Sequence, residues 1–241
     1  MKKFELTNEF ITNMFGTKLF RIRALVEFGD VEAGELGGYV EKESNLGHDG
    51  NAWVYDNARV CGNAQVSGNA WVYGDALVYG NALVYGNARV SGDARVSGDA
   101  LVCDNAWVYG DARVSGDARV YGDAQVSGNA LVCGDALVYD NARVYGNALV
   151  CGDARVCGNG DYAYARGFGS VNRTTTFFRL KDGGVGVRCG CFYGTLAQFR
   201  DKIRETHGET KKAQEYLMLA DLMELRFEED ENEVGNRKYV E

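Results

Sequence analysis

Three groups of residues in this chain have types and spacings that could do chemistry. Cys189 and Cys191, with His207 downstream, are soft donors of the kind zinc accepts. The Cys-x-Cys spacing lacks a second cysteine pair, however, and the competing reading is two structural thiols buried by strand alternation. Residues 159–190 carry Arg166, Arg173, Arg179, Lys181 and Arg188 against Asp161 and Asp182. Beside them Gly167-Phe168-Gly169-Ser170 offers backbone N–H groups that could cup a small anion while arginine supplies charge. A linker followed by an incidental basic hairpin reads the same way. The two histidines, His48 and His207, are the only imidazoles able to act as a general base.

The elements that position these groups follow from one pattern. From Asn51 to Gly158 a six-residue unit, [Asn/Asp]-Ala-x-Val-[Tyr/Ser/Cys]-[Gly/Asp], repeats eighteen times without insertion. Alternation on a strand turns Ala and Val to one side, and x and Tyr/Ser/Cys to the other. The Gly/Asp-Asn/Asp pair suits a sharp corner. The chain has no proline, which a continuous backbone ladder requires. Corner aspartates such as Asp99, Asp117, Asp135 and Asp153 cap turns, interchangeably with Asn elsewhere.

Pairs such as Val78/Ala82 and Val84/Ala88 carry a motif that resembles the hexapeptide repeat of left-handed parallel β-helices. The resemblance implies a triangular prism with three units per coil. The tract then makes six coils, rising on the order of 29 Å at a strand spacing of about 4.8 Å. It also implies a homotrimer. Many members are acyltransferases with a catalytic histidine between subunits, and the carbonic anhydrases among them use three histidine ligands. This repeat tract contains no histidine, so an acyltransferase here would have to use His48, whose plainer reading is a polar loop residue. At whole-chain level, Arg21-Ile22-Arg23-Ala24-Leu25, Gly37-Gly38-Tyr39-Val40-Glu41 and Cys189-Gly190-Cys191-Phe192 resemble hexapeptide-repeat proteins of bacterial and phage genomes.

A solenoid needs caps. Residues 1–50 are expected to form a β cap, with a strand over Phe20–Val26. They also hold an irregular coil with Val40, Ser44 and Leu46 inward, and a small projecting loop carries His48. Residues 159–227 predict a small α+β module. It comprises a hairpin of 174–180 and 185–189, a helix opened by the Thr195/Gln198 capping box, and a helix over about 211–227. The tail 228–241 is acidic and expected to be solvated.

Sorting outward residues by coil face gives one asymmetry. Trp53, Trp71, Arg89 and Trp107 share a face with Tyr55, Tyr73, Tyr109 and Tyr145, an aromatic and arginine ladder that reads as an interface. Net charge of −8 argues against general nucleic-acid binding. There is no membrane-length or signal-peptide-length apolar run, and seven scattered cysteines do not make a disulfide framework. Free thiols and a cytoplasmic location are expected.

The function these residues favour is non-enzymatic. An oligomeric, trimeric β-helix with no cofactor would present C-terminal modules to a small anionic, nucleotide-like ligand, sequestered in the manner of a phage protein, or to a protein partner. The alternatives are the acyltransferase built on His48 and an acidic scaffold or decoy for a macromolecule.

Overall fold

The computed structural model describes residues 1–13, 16–168 and 172–228. The chain divides into two compact units, Met1–Gly160 and Asp161–Glu241.

In the first unit the repeats form short parallel strands from Trp53–Val54 to Arg155–Val156, stacked in three sheets. Every repeat Ala and Val is fully buried, so the small side chains that alternate along the sequence line a dry column. Each rung donates to the next coil: the Trp71 N–H to Ala88 O at 2.9 Å, the Tyr73 N–H to Val90 O at 3.0 Å. Identical residues therefore stack, Val72 on Val90 and Val90 on Val108. The face sorting holds, because Trp53, Trp71, Arg89, Trp107, Gln125 and Arg143 follow one another in a single sheet.

Corners turn through left-handed backbone, supplied by glycine at positions such as Gly98 (φ 70°) and by Asp56, Asp104 and Asp140 at φ of 52°, 58° and 54°. Corner amides also stack, as in Asn69 to Asn87 at 3.1 Å and Asn87 to Asn105 at 3.0 Å.

The N-terminal end is closed by β1 (Phe4–Thr12), β2 (Lys18–Ala24) and β3 (Leu36–Val40). They run antiparallel, and β3 then joins the coils in parallel, Val40 beside Val60. The irregular coil is present, with Leu46 bridging to Val66. Val40 and Leu46 are buried, and Asn45 is buried in place of Ser44, which is exposed. A 3-10 turn over Glu43–Asn45 brings Asn45 inward, while the two residues by which this coil exceeds eighteen fall after Gly47, whose N–H still reaches Val66 O whereas the Trp53 N–H reaches Ala70 O.

Two expectations need correction. Trp53 is on the predicted face but fully buried, because the cap wraps over it: Phe28 meets it edge-on at 5.3 Å and Phe4 at 6.2 Å. It cannot belong to an outer interface. The thiols are not all free either. Cys133 and Cys151, in register on consecutive coils, are disulfide-bonded with Cα atoms 4.6 Å apart. The 18-residue coil sets these two cysteines directly above one another, within bonding reach.

The second unit is a four-stranded antiparallel sheet in chain order, β4 (Tyr162–Phe168), β5 (Arg173–Arg179), β6 (Val185–Cys189) and β7 (Phe192–Thr195). Helices α1 (Leu196–His207) and α2 (Lys211–Phe227) follow. The anticipated hairpin is β5–β6. Strands β4 and β7 extend it on either side, where no strand was anticipated. Thr195 accepts from the Gln198 N–H and the Gln198 side chain returns to the Thr195 N–H, so the capping box starts α1. Phe177, Val187, Phe199, Ile203, Tyr216 and Met223 form the core between sheet and helices.

Candidate functional site

Strand parity sorts the basic residues of the second unit. On β5 the core-facing residues are Thr175 and Phe177, so Arg173 and Arg179 share that side at opposite ends of the strand. Arg179 lies over the Phe227 ring, 5.5 Å from its centroid. Arg166 pairs across from Thr174 and Arg188 from Thr176, so both belong to the other side. The arginines therefore do not converge as one cup. Gly167 is exposed at φ 99°, and Gly169 and Ser170 lie outside the described residues.

One of these arginines does open onto a cavity. A cleft of about 280 Å³ is bounded by Arg173, Cys189, Cys191, Lys202, Thr206 and His207 over a floor of Phe192, Phe199, Ile203 and Tyr216. The Arg173 guanidinium lies against Gly190, where a Cβ would collide with it. That glycine is the first of the two residues turning β6 into β7, at φ 60°. Cys189, Cys191 and His207 thus come together as cleft wall. They do not form a chelate: among the described residues no group of three or more His, Cys, Asp or Glu is placed to hold a metal ion. Nor are both thiols buried, since Cys191 sits in the turn and is exposed.

The wall is ordered from behind. The Thr175 hydroxyl donates to Cys189 Sγ at 3.1 Å, and the Tyr216 hydroxyl lies 4.0 Å from the same sulfur. Burial, with the neighbouring Cys189, pushes the Tyr216 hydroxyl up to about 12, so it stays neutral. The His207 ring stacks on Tyr216 at 6.0 Å. No carboxylate lines the cleft, although Lys202 also reaches Glu205 at 2.8 Å on the outer surface. Lys202 and Thr206 went unnoticed in the sequence. Their spacing from Phe199 and Ile203 on one predicted helix was the available signal.

His48 sits in the N-terminal cap, not in a free loop. Its ring stacks on Phe4 at 4.7 Å, Nδ1 accepts the Lys3 backbone N–H at 3.2 Å, and Nε2 lies 2.9 Å from a Glu43 carboxylate oxygen. With Nδ1 accepting, the Nε2–H donates a hydrogen bond to the Glu43 carboxylate. Lys2 and this imidazole together hold the Glu43 carboxyl below its usual range. Neither ring nitrogen is left to take a proton from a substrate.

On the aromatic face Trp71 packs against the Tyr55 edge at 6.0 Å, and Arg89 lies over its ring at 5.0 Å. With Asp30, Asp56 and Tyr73 they line a shallow groove of about 410 Å³. Further along, Trp107 donates to the Ser91 hydroxyl at 3.1 Å and tilts against Tyr109 at 4.4 Å.

No helix among the described residues is long and apolar enough to cross a membrane. The family model for the YdcK beta solenoid repeat matches in overlapping windows, the first at residues 52–68 and the last at 136–152. The chain is 40% identical over 63 residues to the protein named "Uncharacterized acetyltransferase YdcK" of Escherichia coli strain K12, a match covering 23% of this chain and 19% of that protein. It thus spans about a fifth of that relative's length. A Bacillus cereus structure described provisionally as an acetyltransferase aligns with 76% of this chain and 96% of its own, at 10% identity and a TM-score of 0.19. The stacked six-residue units, their three parallel sheets and the matching repeat model together place this chain's repeat tract in the hexapeptide-repeat superfamily of left-handed parallel β-helices.

Proposed function

We propose that this protein binds and sequesters a small anion in the cleft of its C-terminal unit, and that the β-helix is a scaffold on which copies assemble as a trimer. The observation that carries this reading is the lining of the cleft. In a chain of net charge −8, Arg173 and Lys202 face a cavity that no carboxylate enters, above a floor of aromatic rings. Arg173 has no ion pair among the described residues, so its charge is available to a ligand. Rings below and cations above suit a flat anion such as a nucleotide. The half-exposed Trp71 and Trp107, with Arg89, supply contact area for the scaffold's own association.

Isothermal titration of the full chain with ADP, cyclic di-AMP and inorganic phosphate tests this. Saturable binding of at least one nucleotide, weakened about tenfold or more by Arg173→Ala, supports the reading. Heats indistinguishable from dilution for all three probes remove it.

The E. coli relative's name favours a second reading, acetyl transfer. The matched repeats contain no histidine, so this reading, built on His48, must free one of that residue's ring nitrogens. Release of coenzyme A from acetyl-coenzyme A, abolished by His48→Ala in a folded variant, would replace sequestration with catalysis.

A further inference from the structure

Helix α2 carries two apolar stripes on opposite sides. Ala213, Tyr216, Ala220, Met223 and Phe227 are buried against α1 and the sheet. Met218, Leu222 and Leu225 face the other way, 71%, 54% and 67% exposed. A helix apolar on both sides has a second surface to cover. The spacing of the outer stripe, four residues and then three, is that of the d, a and d positions of a heptad seam. On that frame Asp221 stands at g and Arg226 at e, five residues apart on opposite flanks of the stripe.

We propose that α2 pairs in parallel with α2 of a second copy of this chain, with Met218, Leu222 and Leu225 as the seam. The charges choose both the occupant and the direction. In a parallel pair the g residue of one helix faces the e residue of the next heptad on the other. Asp221 then meets Arg226 of the next copy, and the threefold axis of the proposed trimer repeats the contact around the ring. An antiparallel pair brings g to g and e to e, setting like charges together. Asp221 already reaches Arg200 of α1 at 2.7 Å and remains 69% exposed, so it can serve both cations. Arg226 has no ion pair among the described residues. Upstream of Met218 the seam stops at Glu215, which turns instead to Lys211 at 4.0 Å. Three layers make a short seam that registers copies rather than binding them alone. The inference therefore rests on the self-association proposed above and adds where and in which direction the copies meet.

Sedimentation velocity of the full chain across a concentration series reads the outcome. The wild-type chain should assemble, and the Leu222→Glu/Leu225→Glu pair should raise the dissociation concentration about tenfold or more, with unchanged circular dichroism because both residues point outward. Asp221→Arg alone should weaken assembly, and Asp221→Arg with Arg226→Asp should restore it, since the exchanged pair is again complementary. Double-glutamate and charge-swap variants that assemble like wild type overturn the α2 seam and leave self-association standing. A wild-type chain that is monomeric at micromolar concentration overturns both.

Discussion

The Trp53 indole meets the Phe28 ring edge to face, with centroids 5.3 Å apart and the indole wholly buried. This contact fastens the N-terminal cap to the first regular coil. Gly37 makes room for it, since a Cβ there would stand 2.8 Å from an indole carbon. Trp53→Ala should therefore cost about 3–5 kcal/mol, the range for emptying a large aromatic site. Trp71→Ala, on the same ladder but half exposed, should cost clearly less. Urea unfolding of both variants checks this, and equal losses would mean that the cap is not anchored at Trp53.

Lys3 sets a pH dependence at the same end. Its Nζ donates to Ala52 O at 2.8 Å and lies 4.6 Å from the Phe28 centroid, in a buried position. Burial lowers its pKa from 10.5 to about 8, opposed by Asp49. Between these values the unfolded chain holds a proton that the folded chain has lost. Unfolding then takes up a proton, and stability rises with pH. Tyr55, raised from 10.0 to about 12 chiefly by burial, works in the opposite sense above pH 10. The window is therefore pH 8 to 10, read as a difference between variant and wild type because the buried Cys61 and Cys103 thiols, raised from 9.0, oppose Lys3 there. There the stability of Lys3→Met relative to wild type should fall steadily as pH rises, by on the order of 2 kcal/mol over two pH units. A difference that stays flat across the window would show that Lys3 keeps an ordinary pKa.

Corners make a paired test, because one position of the repeat holds either glycine or aspartate. At Gly98, φ is 70° and a Cβ would lie 2.9 Å from the Gly116 nitrogen of the next coil. Gly98→Ala should cost about 1–3 kcal/mol from left-handed backbone and crowding together. Asp140 holds φ of 54° with a Cβ already present, so Asp140→Gly should relieve strain and be neutral or stabilising by about 0.5 kcal/mol. Thermal unfolding of the two variants should move in opposite directions. A shift of the same sign in both would remove backbone conformation as the corner's selecting factor.

The coils were legible because one period carries both burial and turning: Ala and Val inward, glycine or aspartate at the bend. Even the sheet to which Trp107 belongs could be counted from position alone. What lay beyond reach was set by contacts between distant residues. That Trp53 is covered depends on Phe4 and Phe28, which no periodicity connects to it. The basic stretch looked like one cluster because sequence proximity conceals parity. Arg166 and Arg188 fall on one side of the sheet, and Arg173 and Arg179 on the other, once β4, β5 and β6 pair in register. Cys189, Cys191 and His207 were singled out as donors and do share a cleft, but its cations, Arg173 and Lys202, come from separate elements joined only in the fold.

Asn45 replaces a missing rung, and the substitution can be tested atom by atom. In the irregular coil the backbone donors run two residues out of step with the rest: Tyr39 N–H to Ala58 O, Glu41 N–H to Val60 O and Gly47 N–H to Val66 O. By that count the Asn45 N–H should reach Ala64 O. It is instead used in the 3-10 turn, donating to Lys42 O at 3.0 Å. The Asn45 side chain supplies the missing donor. Nδ2 donates to Ala64 O at 2.8 Å and to Gly62 O at 3.1 Å, while Oδ1 accepts the Lys42 N–H at 2.9 Å. Asn45→Ala leaves these groups without partners in a buried site and should cost about 2–4 kcal/mol. Asn45→Asp keeps the shape but points an acceptor at two carbonyl oxygens. It should be at least as damaging at pH 7 and should recover as pH falls and the carboxyl gains a proton to donate. Urea unfolding at pH 7 and pH 5, with hydrogen exchange at the Lys42 amide, distinguishes the cases. If Asn45→Ala stays within about 0.5 kcal/mol of wild type, the side chain is not standing in for its own backbone, and water must satisfy the first coil.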